Sequence, residues 1–142
     1  MGTRPTDVNG GQMGTNALGF LLQHLRERRG LSLRELGQLA QTDHAYIYRL
    51  EQGEKGAPSE DVLLRLIRAL KAERREAEML RFLAAHPETA QDLVVEVLKD
   101  PTVTYDVFAA AAGAAFRGTA RPNYERLLAR VRRILSEENG HG

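Results

Sequence analysis

The side chains able to do chemistry are few, and their spacing argues against catalysis. The four histidines, His24, His44, His86 and His141, fall at no spacing such as H-E-x-x-H that would put two metal ligands on one helix face. There is no cysteine, so thiolate zinc sites, disulfides and cysteine nucleophiles are excluded together. No glycine-rich loop precedes a Lys-Ser or Lys-Thr pair to cradle phosphate, and most acids face bases at helical spacing. These residues predict no enzyme, no metal and no cofactor. What remains is a spacing: two short apolar-periodic helices over 33–50, joined by Gln41-Thr42-Asp43, with Leu36, Ala40, Ile47 and Leu50 inward and Gly37 inside the first. Glycine within a helix costs about 1 kcal/mol relative to alanine, so its presence requires a reason. A close helix crossing supplies one, because a side chain at residue 37 would push the pair apart. Two short helices crossing so that the second projects from the body make a helix-turn-helix, whose chemistry is reading base edges in a DNA groove.

The elements that must position this unit are bounded by composition. A chain of 142 residues is one domain, or two very small ones sharing a core. Twenty Lys and Arg against 19 Asp and Glu leave a net charge of +1, so any DNA binding has to come from local placement of charge. Hydrophobic residues at 42% with only 6% aromatic suit helices built from Leu and Ala, and strand formers are scarce. The longest Ala-rich run, residues 107–116, is far short of the roughly 20 residues of a membrane helix, and the N-terminus has no apolar secretion signal. With no cysteine, a cytoplasmic protein without a membrane partner is expected.

Residues 1–15, with four glycines, are expected to be a disordered tail. Leu18, Leu21, Leu22 and Leu25 then mark an amphipathic helix from Ala17, stopped at Gly30 after basic Arg28 and Arg29. Ser32-Leu33-Arg34-Glu35 is a capping box opening a second helix to about Ala40. Asp43 caps a third over 44–52, closed by Gly53, and Pro58-Ser59-Glu60-Asp61 opens a fourth with the stripe Val62, Leu63, Leu66, Ile67, Leu70. A fifth, over 73–85, is expected to bury Ala77, Leu80 and Leu83 and to end before Pro87. Three more are expected over 90–99, 105–117 and 124–138, separated by Asp100-Pro101 and by a 118–123 segment whose Asn123 offers an N-cap.

The first half of the chain resembles the Xre or phage-repressor/Cro-like helix-turn-helix proteins. The resemblance is carried by Leu25-Arg26-x-x-Arg29-Gly30-Leu31-Ser32, Leu36-x-x-x-Ala40, Tyr46-Ile47-x-Arg49-Leu50-Glu51-x-Gly53, Pro58-Ser59 and Leu63-x-x-Leu66-x-x-Ala69-Leu70, over about residues 17–80. Gln41 departs from it, standing where such proteins usually have a turn glycine; a left-handed conformation there costs a non-glycine residue about 1 kcal/mol or more. The resemblance implies that the 44–52 helix enters the major groove, with His44, Ala45, Tyr48 and Arg49 toward the bases. The chemistry suits this: Arg49 can bond guanine O6 and N7 bidentately, and Ala45 can meet a thymine methyl. Phosphates are expected at helix N-terminal amides, the Ser32 hydroxyl, Arg34 and Lys55. Arg26 and Glu51 match an internal ion pair bridging the first and third helices of relatives.

The second half has apolar faces that must find partners, either completing the monomer's core or forming a dimer interface. The small residues over 109–115 permit close helix approach, and the stripe Leu127, Leu128, Val131, Ile134, Leu135 is expected to form the interface of a homodimer. Arg126, Arg130, Arg132 and Arg133 read as a solvated face. This half also resembles the C-terminal domain of DdrO-type damage-response repressors, controlled by a metallopeptidase of the IrrE kind, in Leu98-x-Asp100-Pro101-Thr102, Phe116-Arg117-Gly118, Pro122, Tyr124 and Arg133-Ile134-Leu135. That resemblance implies a cleavage junction between Phe116 and Arg117.

The sequence thus predicts an all-α protein: a five-helix repressor-like helix-turn-helix domain over 16–86, then a three-helix C-terminal dimerisation and regulatory region over 87–138 and a short tail over 139–142. Its expected function is that of a homodimeric transcriptional repressor on a palindromic operator in double-stranded DNA, with a metallopeptidase as regulator. One alternative is an antitoxin that autorepresses through the same unit while its second half masks a toxin. Another is a module that recruits a protein partner without touching DNA.

Overall fold

The computed structural model describes residues 16–117 and 122–140; the expected N-terminal tail and the start of the 118–123 segment fall outside them. Every described element is helical: α1 (Ala17–Arg28), α2 (Leu33–Ala40), α3 (His44–Glu51), α4 (Glu60–Leu70), α5 (Arg74–Ala85), α6 (Gln91–Lys99), α7 (Tyr105–Arg117) and α8 (Tyr124–Gly140). α8 continues through 139–140, expected as tail, because nothing in the sequence stops it before Gly140.

Local hydrogen bonding accounts for the helix ends. Ser32 Oγ accepts from the Glu35 amide at 3.0 Å while the Ser32 amide donates back to the Glu35 carboxylate at 2.8 Å, the reciprocal capping box. Asn16, Asp43 and Ser59 cap α1, α3 and α4, and Asn123 accepts from the Arg126 amide at the start of α8. Gly30 and Gly53 adopt left-handed φ of 68° and 75° beyond α1 and α3. Gln41 and Lys71 do so as non-glycine residues, both at φ 51°, ending α2 and α4.

The leucine stripe of α1 is fully buried against α3, α5 and α6, so the first helix serves both halves of the chain. α2 packs on α3 and α4, α5 on α7, and α8 covers α6 and α7. The buried side chains of all eight helices join one hydrophobic core, in which each fully buried Leu contributes about 1.5–3 kcal/mol. In α5 the buried face is Glu76, Met79, Leu80 and Leu83; Leu80 and Leu83 are buried as expected, whereas Ala77 is only half-buried.

The C-terminal stripe is spent differently from its expected dimer role. Leu127, Leu128 and Val131 are buried within the single chain, where α8 closes over α6 and α7. Leu135 is half-buried, and Ile134, 45% exposed, is the member that still faces outward. Arg126, Arg130, Arg132 and Arg133 are all exposed, as a solvated face requires, and Arg132 is in addition tied to its own chain. It reaches Asp100 at 3.3 Å and the Thr102 hydroxyl at 2.6 Å, pinning the turn between α6 and α7. From the other side Arg75 donates to the carbonyls of Val97, Asp100 and Val103.

Two bidentate ion pairs fix α1. Arg26 meets the buried Glu51 at 2.7 and 3.0 Å and also donates to the Leu31 carbonyl; Arg28 meets the buried Glu76 at 2.5 and 2.9 Å. Arg26→Ala strands the Glu51 carboxylate away from water and is expected to lower unfolding free energy by about 3 kcal/mol, read by urea titration. A loss below 1 kcal/mol would show that Glu51 is rehydrated at no cost. Burial pushes the Glu76 carboxyl up, but Arg28, the Glu73 amide and Arg75 outweigh it and hold the pKa below the usual carboxylate range. A carboxylate with a depressed folded pKa stabilises above its unfolded value of about 4.5 and loses that contribution as pH falls through the folded value. Thermal midpoints of the wild type should therefore fall on acidification below that value, and Glu76→Gln should show a lower midpoint at pH 7 with a flatter acid limb. Parallel profiles for the two proteins would remove Glu76 from the acid response.

Candidate nucleic-acid interface

The turn between α2 and α3 is as tight as Gly37 suggests. A Cβ on Gly37 would lie 2.7 Å from the Thr42 carbonyl oxygen and 3.2 Å from the His44 Cβ, so even alanine there would force the two helices apart. The same constraint operates behind α3 at Gly19, which sequence reading left unremarked: a Cβ there would sit 2.6 Å from the Leu50 carbonyl oxygen. α1 therefore runs directly against the end of α3. Arg65 of α4 braces the turn from the side, donating to the Ala40 carbonyl at 2.9 Å and to Thr42 Oγ1 at 3.4 Å while paired with Asp61. These contacts hold Gln41 in its left-handed conformation without a glycine.

With Ile47, Leu50 and Glu51 turned into the core, α3 shows the outside a face of Ala45, Tyr48 and Arg49, with His44 half-buried beside it. Gln52, three residues past Arg49, continues that face. Tyr48 is 48% exposed and Leu39, on α2, 56%. Ser32, Arg34 and Lys55 are all exposed, and Arg34, Arg49 and Lys55 have no acid partner among the described residues. This contrasts with Arg26, Arg28, Arg65, Arg81 and Arg132, each held by a carboxylate.

A shallow depression at the crossing brings Arg34 and His44 together with Gln38, Gln41, Thr42 and Asp43. Gln38 was not singled out from sequence, although it follows Arg34 at the i, i+4 spacing of one helical face, and Gln41 entered only as the departure from a turn glycine. Helix N-terminal amides contribute less than expected. Asp43 accepts from the Ala45 amide at 3.2 Å, and Glu35 occupies the Ser32 amide, so acids already sit at the starts of both helices. Anion binding on this face falls to the side-chain cations and to the Ser32 hydroxyl, which accepts from Glu35 and keeps its own proton to donate.

Away from this face, no helix among the described residues is long and apolar enough to cross a membrane, and no group of three His, Asp or Glu among them could hold a metal ion. The Phe116–Arg117 bond lies in the last turn of α7; residues 118–121 beyond it are outside the described ones.

No curated protein and no solved structure matches the chain. Residues 17–80, α1 to the middle of α5, match a protein-family model described as a helix-turn-helix domain. Packing and comparison agree that the N-terminal part of the chain, all-helical among the described residues, is a helix-turn-helix domain.

Proposed function

We propose that this protein is a sequence-specific DNA-binding transcriptional regulator, a repressor that works as a homodimer, with α3 as the helix that enters the major groove. The observation that carries the reading is the bare face of α3. Its neighbours fix the helix rigidly, yet Ala45, Tyr48 and Arg49 are left exposed, with no protein partner for the Arg49 guanidinium among the described residues. Arg49 donates two N–H groups to guanine O6 and N7, the Ala45 methyl lies against a thymine methyl, and His44 contacts the adjacent base edge. Tyr48 donates its hydroxyl to a phosphate or base, and Ser32, Arg34 and Lys55 hold the backbone and set the register.

One such domain covers too little DNA for tight specific binding, whereas a second linked copy raises affinity by on the order of 10² or more. The outward Ile134 of α8 is the contact proposed between copies. Beside it, Val107, Ala109, Ala110 and Leu135 line a groove between α7 and α8. The resemblance of the C-terminal half supports one further element of the reading, release from DNA when a metallopeptidase cuts between Phe116 and Arg117.

Binding to a duplex bearing two half-sites about 34 Å apart, or a multiple, should lose roughly 1,000-fold between 50 and 200 mM salt if about six phosphates are neutralised. On the preferred site Arg49→Ala should cost about 1–3 kcal/mol and relax preference at one base position, while Lys55→Ala weakens specific and random DNA alike. Fluorescence anisotropy on a selected site and on random duplex distinguishes the two, and equal losses on both for Arg49→Ala would take base reading away from Arg49. If no sequence is enriched from a genomic fragment library at moderate salt, the regulator reading fails.

Because Ile134 is exposed, Ile134→Arg should leave the stability of the folded monomer within about 0.5 kcal/mol of wild type, compared at a concentration where both proteins are monomeric. It should nonetheless shift sedimentation from dimer to monomer and weaken operator binding in step. A variant that stays dimeric would move the interface elsewhere.

A further inference from the structure

A cleft of about 510 Å³ opens between the end of α5, the start of α6, α7 and the first turn of α8, on a different part of the molecule from the groove-reading face. That volume lies within the 300–1,000 Å³ of small-molecule sites. We propose that this cleft binds a small organic acid, an aromatic or branched-aliphatic body carrying one carboxylate, with the Arg117 guanidinium as the group that recognises the charge. The proposal is independent of DNA binding.

The cleft is shaped for an apolar body. Its walls include Phe82 and Tyr124, with Leu93 and Ala112 buried beneath. Phe82 stands edge-on to the fully buried Phe108, ring centroids 5.2 Å apart, so its ring is fixed. The volume exists because α7 presents Ala109, Ala112, Gly113 and Ala115 to it, where larger side chains would fill the space. Gly113 is not required by packing: a Cβ there would meet only Arg117 Nη1, at 3.5 Å.

Charge on the lining selects the head group. Arg117 is exposed and has no acid partner among the described residues, unlike the ion-paired arginines of the core. The acid on the lining, Glu88, lies 3.5 Å from His86 Nδ1, and His86 in turn packs on Phe82 at 4.3 Å between ring centroids. An apolar floor with a guanidinium at its edge fits a carboxylate with a ring or branched chain, and a guanidinium binds a carboxylate through two parallel hydrogen bonds.

The test uses the full chain without DNA and the probes 2-naphthoate, 4-phenylbutyrate and the neutral 2-naphthamide, followed by amide NMR shifts and calorimetry. Saturable binding of at least one acid below about 1 mM is expected, with shifts centred on Ala112 and Gly113. Arg117→Gln should weaken the acids about tenfold or more and the amide less than about twofold, since only the acid loses a charge-assisted pair. Gly113→Leu should abolish binding of acid and amide with an unchanged circular dichroism spectrum. If that variant does not fold, Ala109→Leu, at a half-exposed position of the same lining, replaces it. Absence of saturable binding by all three probes overturns the proposal, as does binding undiminished by the filling substitution. Equal weakening of acid and amide by Arg117→Gln overturns the role given to Arg117.

Discussion

The buried pair between Arg26 and Glu51 is the constraint on which the rest of the structure depends. Glu51 ends α3 with 1% of its surface exposed, and its carboxylate is tolerable there only because Arg26 meets it with two hydrogen bonds. Burial alone would lower the Arg26 pKa, but the hydrogen bonds to Glu51 outweigh it and hold the guanidinium above its usual value. The third hydrogen bond of Arg26, to the Leu31 carbonyl, ties the same guanidinium to the chain entering α2. One side chain of α1 thus sets both ends of the unit whose second helix is α3. Such a pair adds little net stability over an apolar replacement; it fixes orientation, because any rotation of α3 would strand a charge.

Rigidity behind α3 and bareness in front are two sides of one arrangement. Gly19 lets the α1 backbone touch the end of α3, Gly37 closes the turn, and Arg65 holds the turn carbonyl, so α3 is located at both ends by contacts that tolerate almost no displacement. A helix placed in this way can leave half its surface without protein contact and still present Arg49 at a defined angle. That is what reading a base edge demands, since a bidentate hydrogen bond loses its discrimination when the donor wanders by an ångström.

What the sequence made legible was local. Capping residues Ser32, Asp43, Ser59 and Asn123, the leucine stripe of α1 and the stops at Gly30 and Gly53 act within a turn or two of where they are written, and each stands where the pattern placed it. The Arg26–Glu51 pair was legible only through resemblance. Arg28–Glu76 and the three carbonyls gathered by Arg75 span 22 to 48 residues and carry no local signature, so the pattern assigns these charges no partner. Gly19 went unremarked for a similar reason: a glycine near a helix start is common, and what forbids a side chain there is a carbonyl some 30 positions away. The base-reading roles proposed for His44, Ala45, Tyr48 and Arg49 rest on the resemblance and on side-chain chemistry, and of the four Ala45, Tyr48 and Arg49 are exposed.

The stripe on α8 shows where periodicity stops being informative. An apolar face must be covered, but its spacing is the same whether the cover comes from its own chain or from a second copy. Here Leu127, Leu128 and Val131 are covered by α6 and α7, which changes the physics of the proposed switch. Loss of α8 by cleavage after Phe116 would do more than remove an interface. It would uncover the α6–α7 face, release the Asp100 turn from Arg132, and leave buried side chains such as Val97 and Phe108 in a core shared with α1. α1 carries Arg26 and Gly19, so damage to that core reaches the support of α3 directly. On the proposed reading, a cut in the C-terminal half would therefore act along two routes, through the proposed partner copy and through the helix that holds α3 in place.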